Sequence, residues 1–192
     1  RSWRYYEDKF DSYAEFTVWR ITGYYTTAHN NGAMALQTQR PYPLPYSTLR
    51  SFWSIPGLAQ TPLGYRQLTG LDPTRQHEAM LERYGTPELN NEGGLFQPAL
   101  DYGVAGLLLF WFGCGFVATR LFAGYLAGTL AGLTMYPLVF LAILETPRFL
   151  YLCYPRALPG IATLLVVAWL ASRLAPRTVT QPSLLLAARR GT

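Results

Sequence analysis

Residues 102–119 read YGVAGLLLFWFGCGFVAT, 18 residues without a charge, and Arg120 ends the run. A helix needs about 20 mostly apolar residues to cross about 30 Å of hydrocarbon, so this stretch predicts a transmembrane span. Residues 121–144 follow, 24 in a row without a charge, and end at Glu145. A third run, 157–172, is shorter and is flanked by Arg156 and Arg173. It reaches across only if those arginines snorkel to the headgroups or part of 149–155 also inserts. The expected fold is all-α and membrane-embedded, with three spans (about 102–119, 121–144 and 157–172) in the C-terminal half of the chain. These spans would belong to a larger polytopic bundle.

The charges divide the chain at the same place. Residues 1–97 hold nine Lys+Arg and nine Asp+Glu, whereas residues 98–192 hold seven Arg and only two acids, Asp101 and Glu145. The net charge of +5 therefore belongs to the apolar half. Its arginines flank apolar runs instead of forming a patch, which argues against a nucleic-acid partner. Arg120 falls between the first two runs, and Arg173, Arg177, Arg189 and Arg190 follow the third. Basic loops stay cytoplasmic. Placing both there leaves the 145–156 connection and all of residues 1–97 facing outward, with 175–192 as a cytoplasmic Arg-rich tail. The chain opens on Arg1, with no signal-peptide pattern after it, so a piece of a longer chain is expected.

Gly124, Gly128 and Gly132 recur every four residues, which predicts one glycine face on the second span where another helix approaches closely. Packing inside a bundle is favoured over a dimer contact. Pro137 predicts a bend in the same helix. Cys114 and Cys153 have no metal or redox spacing and are expected to pack as small hydrophobes.

The polar half is an outward-facing segment of helical and irregular structure. Residues 13–37, YAEFTVWRITGYYTTAHNNGAMALQ, predict a helix interrupted near Asn30-Asn31-Gly32, either lying at the interface or ending a span that begins upstream. Residues 40–45, RPYPLP, read as an extended link. Residues 47–53 predict a short amphipathic helix with Phe52 and Trp53 at headgroup level. Asp72 as N-cap and Pro73 in the first turn open a helix over 73–84, ended by Gly85.

No GxGxxG, Walker-type loop, CxxC or HExxH occurs, so neither a metal nor a cofactor is expected. His29 and His77 stand alone and are expected to be surface or hydrogen-bonded residues. Arg20, Arg40, Arg50, Arg66, Arg75 and Arg83 form a more informative set. Guanidinium forks bind phosphate oxygens bidentately, and aromatic rings stack on sugar faces. A segment with both suits a lipid-pyrophosphate-linked glycan. The plainer expectation pairs most of these arginines with nearby acids.

Residues 90–103, NNEGGLFQPALDYG, run directly into the first apolar span. This stretch resembles the oligosaccharide repeat-unit polymerases, the Wzy-type O-antigen polymerase family. There, Asn and small polar residues precede an aspartate, an aromatic residue and a glycine at the start of a late helix. Asp101, Tyr102 and Gly103 match that end, with Tyr where Phe is common. Asn90 and Asn91 match the Asn region, while Glu92-Gly93-Gly94 replaces a Thr-containing part. The order of an outward YYTTAHNNGAMAL segment, a polar loop, a Gly-rich helix and final helices also agrees, over residues 13–172.

The resemblance implies the C-terminal part of a bacterial inner-membrane glycosyltransferase of more than ten spans. Its substrate would be oligosaccharide on undecaprenyl pyrophosphate, and its product the polysaccharide of O-antigen biosynthesis. A base takes the proton of a sugar hydroxyl, and cations stabilise the departing pyrophosphate. By this resemblance Arg20 or Arg66 is the cation, Glu92 or His77 the base, and Asn91, Asp101 and Arg75 bind substrate. Asp101 has an equal claim as the N-cap of the first span. An O-antigen ligase differs only in its acceptor. A reading of another class is a non-catalytic membrane subunit that packs against other membrane proteins. A transporter is disfavoured, because the spans carry no charge pair near mid-membrane.

Overall fold

The computed structural model describes residues 8–85 and 89–174. All regular structure among the described residues is helical. The predicted Arg-rich tail, 175–192, lies outside them, as do Arg177, Arg189 and Arg190.

Helix α1 spans Tyr13–Thr38, and Ser12 caps it by accepting a hydrogen bond from the Glu15 amide. It runs unbroken through Asn30-Asn31-Gly32, where the sequence predicts an interruption. Asn31 is buried, and its Nδ2 donates to the carbonyls of Leu89 (2.8 Å) and Asn91 (3.0 Å). With those partners its side chain has no need to compete for the backbone of its own helix. Gly32 leaves room beside it for Phe96 and the Gly93 carbonyl. The residues that look like a helix break form the seam where 89–97 docks.

Helix α2, Arg50–Trp53, is a single turn instead of the helix expected over 47–53. α3, Tyr65–Thr69, is equally short. α4, Pro73–Tyr84, begins and ends where its caps predict: Asp72 accepts from the Arg75 amide at 3.2 Å, and Gly85 follows the last turn. Ala35, Tyr42, Met80, Leu81 and Leu100 form the core that ties α1, α4 and the start of the next helix together. Tyr65 meets the rings of Tyr42, Tyr46 and Trp53 edge-on beside it.

Helix α5, Gln97–Leu126, has two arms. Gln97 to Leu100 are buried in the polar half, and the backbone turns sharply at Gly103 (φ 72°), a conformation that favours glycine. Trp111 Nε1 then donates to the Leu95 carbonyl at 2.9 Å, so the second arm returns past the segment that precedes the first. That arm, from Val104 to Leu126, is about 34 Å long at a rise of about 1.5 Å per residue. It passes straight through Arg120, where the sequence reading ends one span and begins another. A charged side chain does not break a helix. The turn falls at 127–129, where Gly128 takes φ 68° and Thr129 caps the next helix by accepting from the Gly132 amide. Helix α6 is therefore Leu130–Glu145, shorter than the expected 121–144.

The shifted turn also corrects the glycine face. Gly124 lies on α5, Gly128 in the turn and Gly132 on α6, so the three do not share a helix face. Close approach does occur, across the hairpin: a Cβ on Gly132 would overlap the Gly124 backbone. The four-residue spacing marks two glycines facing each other across a turn.

Two short 3₁₀ turns, Tyr151–Cys153 and Pro155–Ala157, lead to α7, Leu158–Leu174. Of the described helices, α5 alone is long and apolar enough to cross a bilayer; α6 and α7 are apolar but have 16 and 17 residues. Their side chains are mostly uncovered. Phe112 is 76% exposed and Leu109 72%.

The connection from α6 to α7 packs on the polar half. The Gly93 amide donates to the Arg148 carbonyl at 3.0 Å, and Ser51 Oγ donates to the Cys153 carbonyl at 2.7 Å. Gly93 and Gly94 thread between α1 and residues 149–150 with no room for side chains.

Candidate functional site

Three parts of the chain meet where the α6–α7 connection docks. The single turn α2 carries Arg50, segment 89–97 carries Asn90, Asn91 and Glu92, and the connection carries Arg148, Tyr154 and Arg156. Together with Phe149 they line a cleft of about 240 Å³.

Its organising group is the Glu92 carboxylate. Glu92 Oε2 accepts from Arg50 Nη1 (2.5 Å), from Tyr154 Oη (3.1 Å) and from Gln97 Nε2. Arg50 Nη1 also donates to Tyr154 Oη at 2.6 Å. The Arg50 guanidinium stacks over the Tyr154 ring, with Cζ 4.3 Å from its centroid. Burial works against the charge on Arg50, but the charge and hydrogen bond of Glu92 together with the Tyr154 and Tyr46 phenols outweigh it and hold the guanidinium protonated. Burial and then Glu92 push the Tyr154 phenol well above its ordinary range, so it acts as a hydrogen-bond donor.

The remaining groups favour an anion. Arg148 pairs with Glu145 through Nη1 at 2.9 Å, yet its Nε is buried with no acceptor in the protein. Asn91 Nδ2 is buried and unpartnered as well. Arg156 is exposed, with its Cζ 5.4 Å from the Phe149 ring centroid and 5.7 Å from that of Tyr154. Glu92 and Glu145 pair with Arg50 and Arg148, which leaves Arg156 as the cleft guanidinium without an ion pair among the described residues, and two buried donors lack partners. Such a site binds phosphate or carboxylate oxygens.

The structure brings some of the residues expected from the sequence together and separates others. Asn91 and Glu92 line the cleft. His77 lies behind them: its Nε2 is 3.3 Å from the Asn90 carbonyl, and it borders a small cavity with Glu92 and Gln97. Arg20 lines a neighbouring groove that reaches the same Arg148. Arg66 lies on α3 in a separate cavity beside Trp53, and Arg75 is exposed on α4. His29 packs edge-on against Phe96, with ring centroids 5.2 Å apart.

Asp101 has a structural task. Its carboxylate accepts from the amides of Tyr46 (2.9 Å), Ser47 (3.0 Å) and Thr48 (2.7 Å) and from Thr48 Oγ1 (2.7 Å). It caps the loop before α2 instead of its own helix. Hydrogen bonds to a charged group are worth about 1.5–3 kcal/mol each, so Asp101→Ala is expected to lower stability by about 3 kcal/mol after partial replacement by water. Thermal unfolding of the purified protein in detergent measures this.

Arg148, Tyr154 and Arg156 are cleft residues the sequence reading misses, since it treats the late arginines as membrane-edge charges. A signal is present in 145–156, ETPRFLYLCYPR, where two arginines and three aromatic residues share the connection predicted to face the same way as residues 1–97. No cluster of three potential metal ligands occurs among the described residues. Burial, the largest cause, raises the Cys153 thiol to about 11, which fits an inert packed cysteine. No family model matches this chain, and no curated protein or solved structure is found to be similar to it.

Proposed function

We propose that the chain is the C-terminal part of a membrane-embedded glycan polymerase, with the arginine cleft holding the pyrophosphate of a lipid-linked oligosaccharide. The observation that carries this reading is the convergence of Arg50, Arg148 and Arg156 with two unpartnered donors at one end of the apolar helices. The exposed apolar surface of α5–α7 supports a lipid setting, because burial of such surface in water contributes about 25 cal/mol per Å². In that setting α5 spans, while α6 and α7 cross with local bilayer thinning or the help of flanking residues. The contact between 145–157 and the polar half supports a shared outward side for the two. The membrane would be the bacterial inner membrane, and the substrate carrier undecaprenyl pyrophosphate.

In the reaction, a sugar hydroxyl oxygen on one lipid-linked unit bonds to the anomeric carbon of the chain on another. The bond from that carbon to the pyrophosphate breaks, and the pyrophosphate leaves with its lipid carrying the electron pair. The hydroxyl proton passes to a base. The arginines stabilise the growing charge on the leaving group. Our reading gives this role, which the resemblance assigns to Arg20 or Arg66, to Arg148 and Arg156 because they line the cleft, with Arg50 held in place by Glu92 and Tyr154.

Arg148→Ala and Arg156→Ala in the full-length protein are expected to cut polymer by about tenfold or more while single repeat units accumulate on the lipid. Arg83→Ala, in the exposed last turn of α4, is the control that keeps polymer. Polymer of normal amount and length in both cleft variants overturns the assignment. One observation favours a second reading, a non-catalytic membrane subunit whose cleft binds an anionic headgroup. Three donors converge on Glu92 Oε2, so the carboxylate nearest the arginines is engaged in positioning them. Under that reading the cleft variants lose assembly of the larger complex, and lipid-linked intermediates do not accumulate.

A further inference from the structure

We infer that the cavity framed by α2, α3 and the start of α4 is a binding site for a neutral saccharide. The inference stands on the polar half of the chain and needs no ligand in the arginine cleft. The cavity measures about 320 Å³, at the lower end of ligand cavities and large enough for a short saccharide. Its wall combines Tyr46, Trp53 and Tyr65 with Arg66, Gln67 and Asp72.

The rings form its apolar side. Trp53 Nε1 donates to the Pro45 carbonyl at 2.7 Å, and Tyr65 Oη donates to the Leu44 carbonyl at 2.9 Å. With these polar atoms engaged by the backbone, what the two rings bring to a ligand is carbon. Tyr65 meets both other rings edge-on, at centroid distances of 4.9 Å from Tyr46 and 5.1 Å from Trp53, so the three hold one another in place. On the cleft side, Arg50 packs on the same Tyr46, with its Cζ 5.9 Å from the ring centroid.

The polar side comes from α3 and the cap of α4. Gly70 ends α3 with φ 71° and turns the chain, so that Asp72 borders the cavity that Arg66 and Gln67 line from α3. Gln67 is held by its Nε2, which donates to the Ala59 carbonyl at 2.7 Å. Arg66 is exposed and makes no ion pair among the described residues. Asp72 Oδ1 accepts from the Arg75 amide, and a carboxylate has further lone pairs to offer a ligand. One guanidinium and one carboxylate balance in charge, which favours a neutral ligand over an anion. A purely apolar ligand would leave both groups without hydrogen bonds. A sugar ring answers each side: its C–H face meets the aromatic wall, and its hydroxyls accept from Arg66 and donate to Asp72.

Saturation-transfer NMR on the complete protein, in a detergent without a sugar headgroup, tests this with the methyl glycosides of glucose, galactose, mannose and N-acetylglucosamine. At least one glycoside is expected to bind the wild type. Arg66→Ala combined with Asp72→Asn should weaken that binding by about tenfold or more. Asparagine is as good an N-cap as aspartate, so α4 keeps its start and the midpoint of thermal unfolding stays at the wild-type value. Arg66→Ala alone, at an exposed position, should weaken binding by about threefold or more, and it decides the question if the double variant unfolds. Absence of binding by all of the glycosides overturns the site. Unchanged binding in the variants places the sugar elsewhere and overturns it too. Displacement of the bound glycoside by inorganic pyrophosphate makes this an anion site and overturns the neutral-saccharide assignment. The glycosides carry no phosphate, so failure to bind them leaves the reading of the arginine cleft standing.

Discussion

Gly94→Ala is expected to undo the docking of segment 89–97 and to destabilise the protein by about 3 kcal/mol or more, at the upper end of overpacking costs. The added Cβ would lie 2.6 Å from the Leu150 amide nitrogen and overlap the Phe149 carbonyl. These are backbone atoms, so no side-chain rotation relieves the clash. The neighbouring Gly93 is constrained twice over, by φ 69° and by the Ala28 carbonyl against the place where its Cβ would sit. For a chain of this size the expected loss corresponds to a fall of roughly 6–12 °C in the midpoint of thermal unfolding. Gly113→Ala is the control, since nothing lies within 4 Å of a Cβ there. It should be neutral or mildly stabilising, as alanine is the better helix former. Equal midpoints for the two variants would mean that 93–94 does not pass between α1 and the α6–α7 connection. Because the same segment carries Asn91 and Glu92, the Gly94 variant should lose anion binding in the cleft as well.

Phe116→Arg is expected to block membrane integration of α5. Phe116 is one residue from the middle of the 104–126 arm and is 61% exposed. In water, placing an arginine at such an exposed position changes stability by less than about 0.5 kcal/mol and improves solubility. At the centre of a transmembrane helix it costs about 2.5–3.5 kcal/mol on insertion scales. The two environments therefore predict different results for one substitution. Glycosylation tags on either side of α5, read after synthesis with membranes present, should show a large loss of the spanning form relative to wild type. Unchanged or improved recovery in the soluble fraction would place the apolar face of α5 against protein or water instead of lipid, and the pyrophosphate reading would lose its setting.

The helical, apolar character of the C-terminal half is local information. Residues 102–119 and 157–172 are long enough and apolar enough to be recognised alone, and the Asp72-Pro73 cap locates α4 within one turn. Charge alone puts the turn between α5 and α6 at Arg120, whereas the backbone reverses at Gly128 with Thr129 as the cap. Asn31 likewise carries a local signal for a break, and its distant partners at 89 and 91 override it.

The cleft belongs to a different level of organisation. Arg50 and Tyr154 are separated by 104 positions, Glu92 and Tyr154 by 62, and no periodicity or cap relates them. Composition alone establishes that the second half is apolar and that the first half carries arginines and aromatic rings. Which arginines meet is decided by the close backbone passage that Gly93 and Gly94 permit, and by Asp101 holding the loop before α2. Hydropathy and capping act over a few residues and can be read along the chain. Convergence of charges depends on how distant segments pack, and that exists only once the chain is folded.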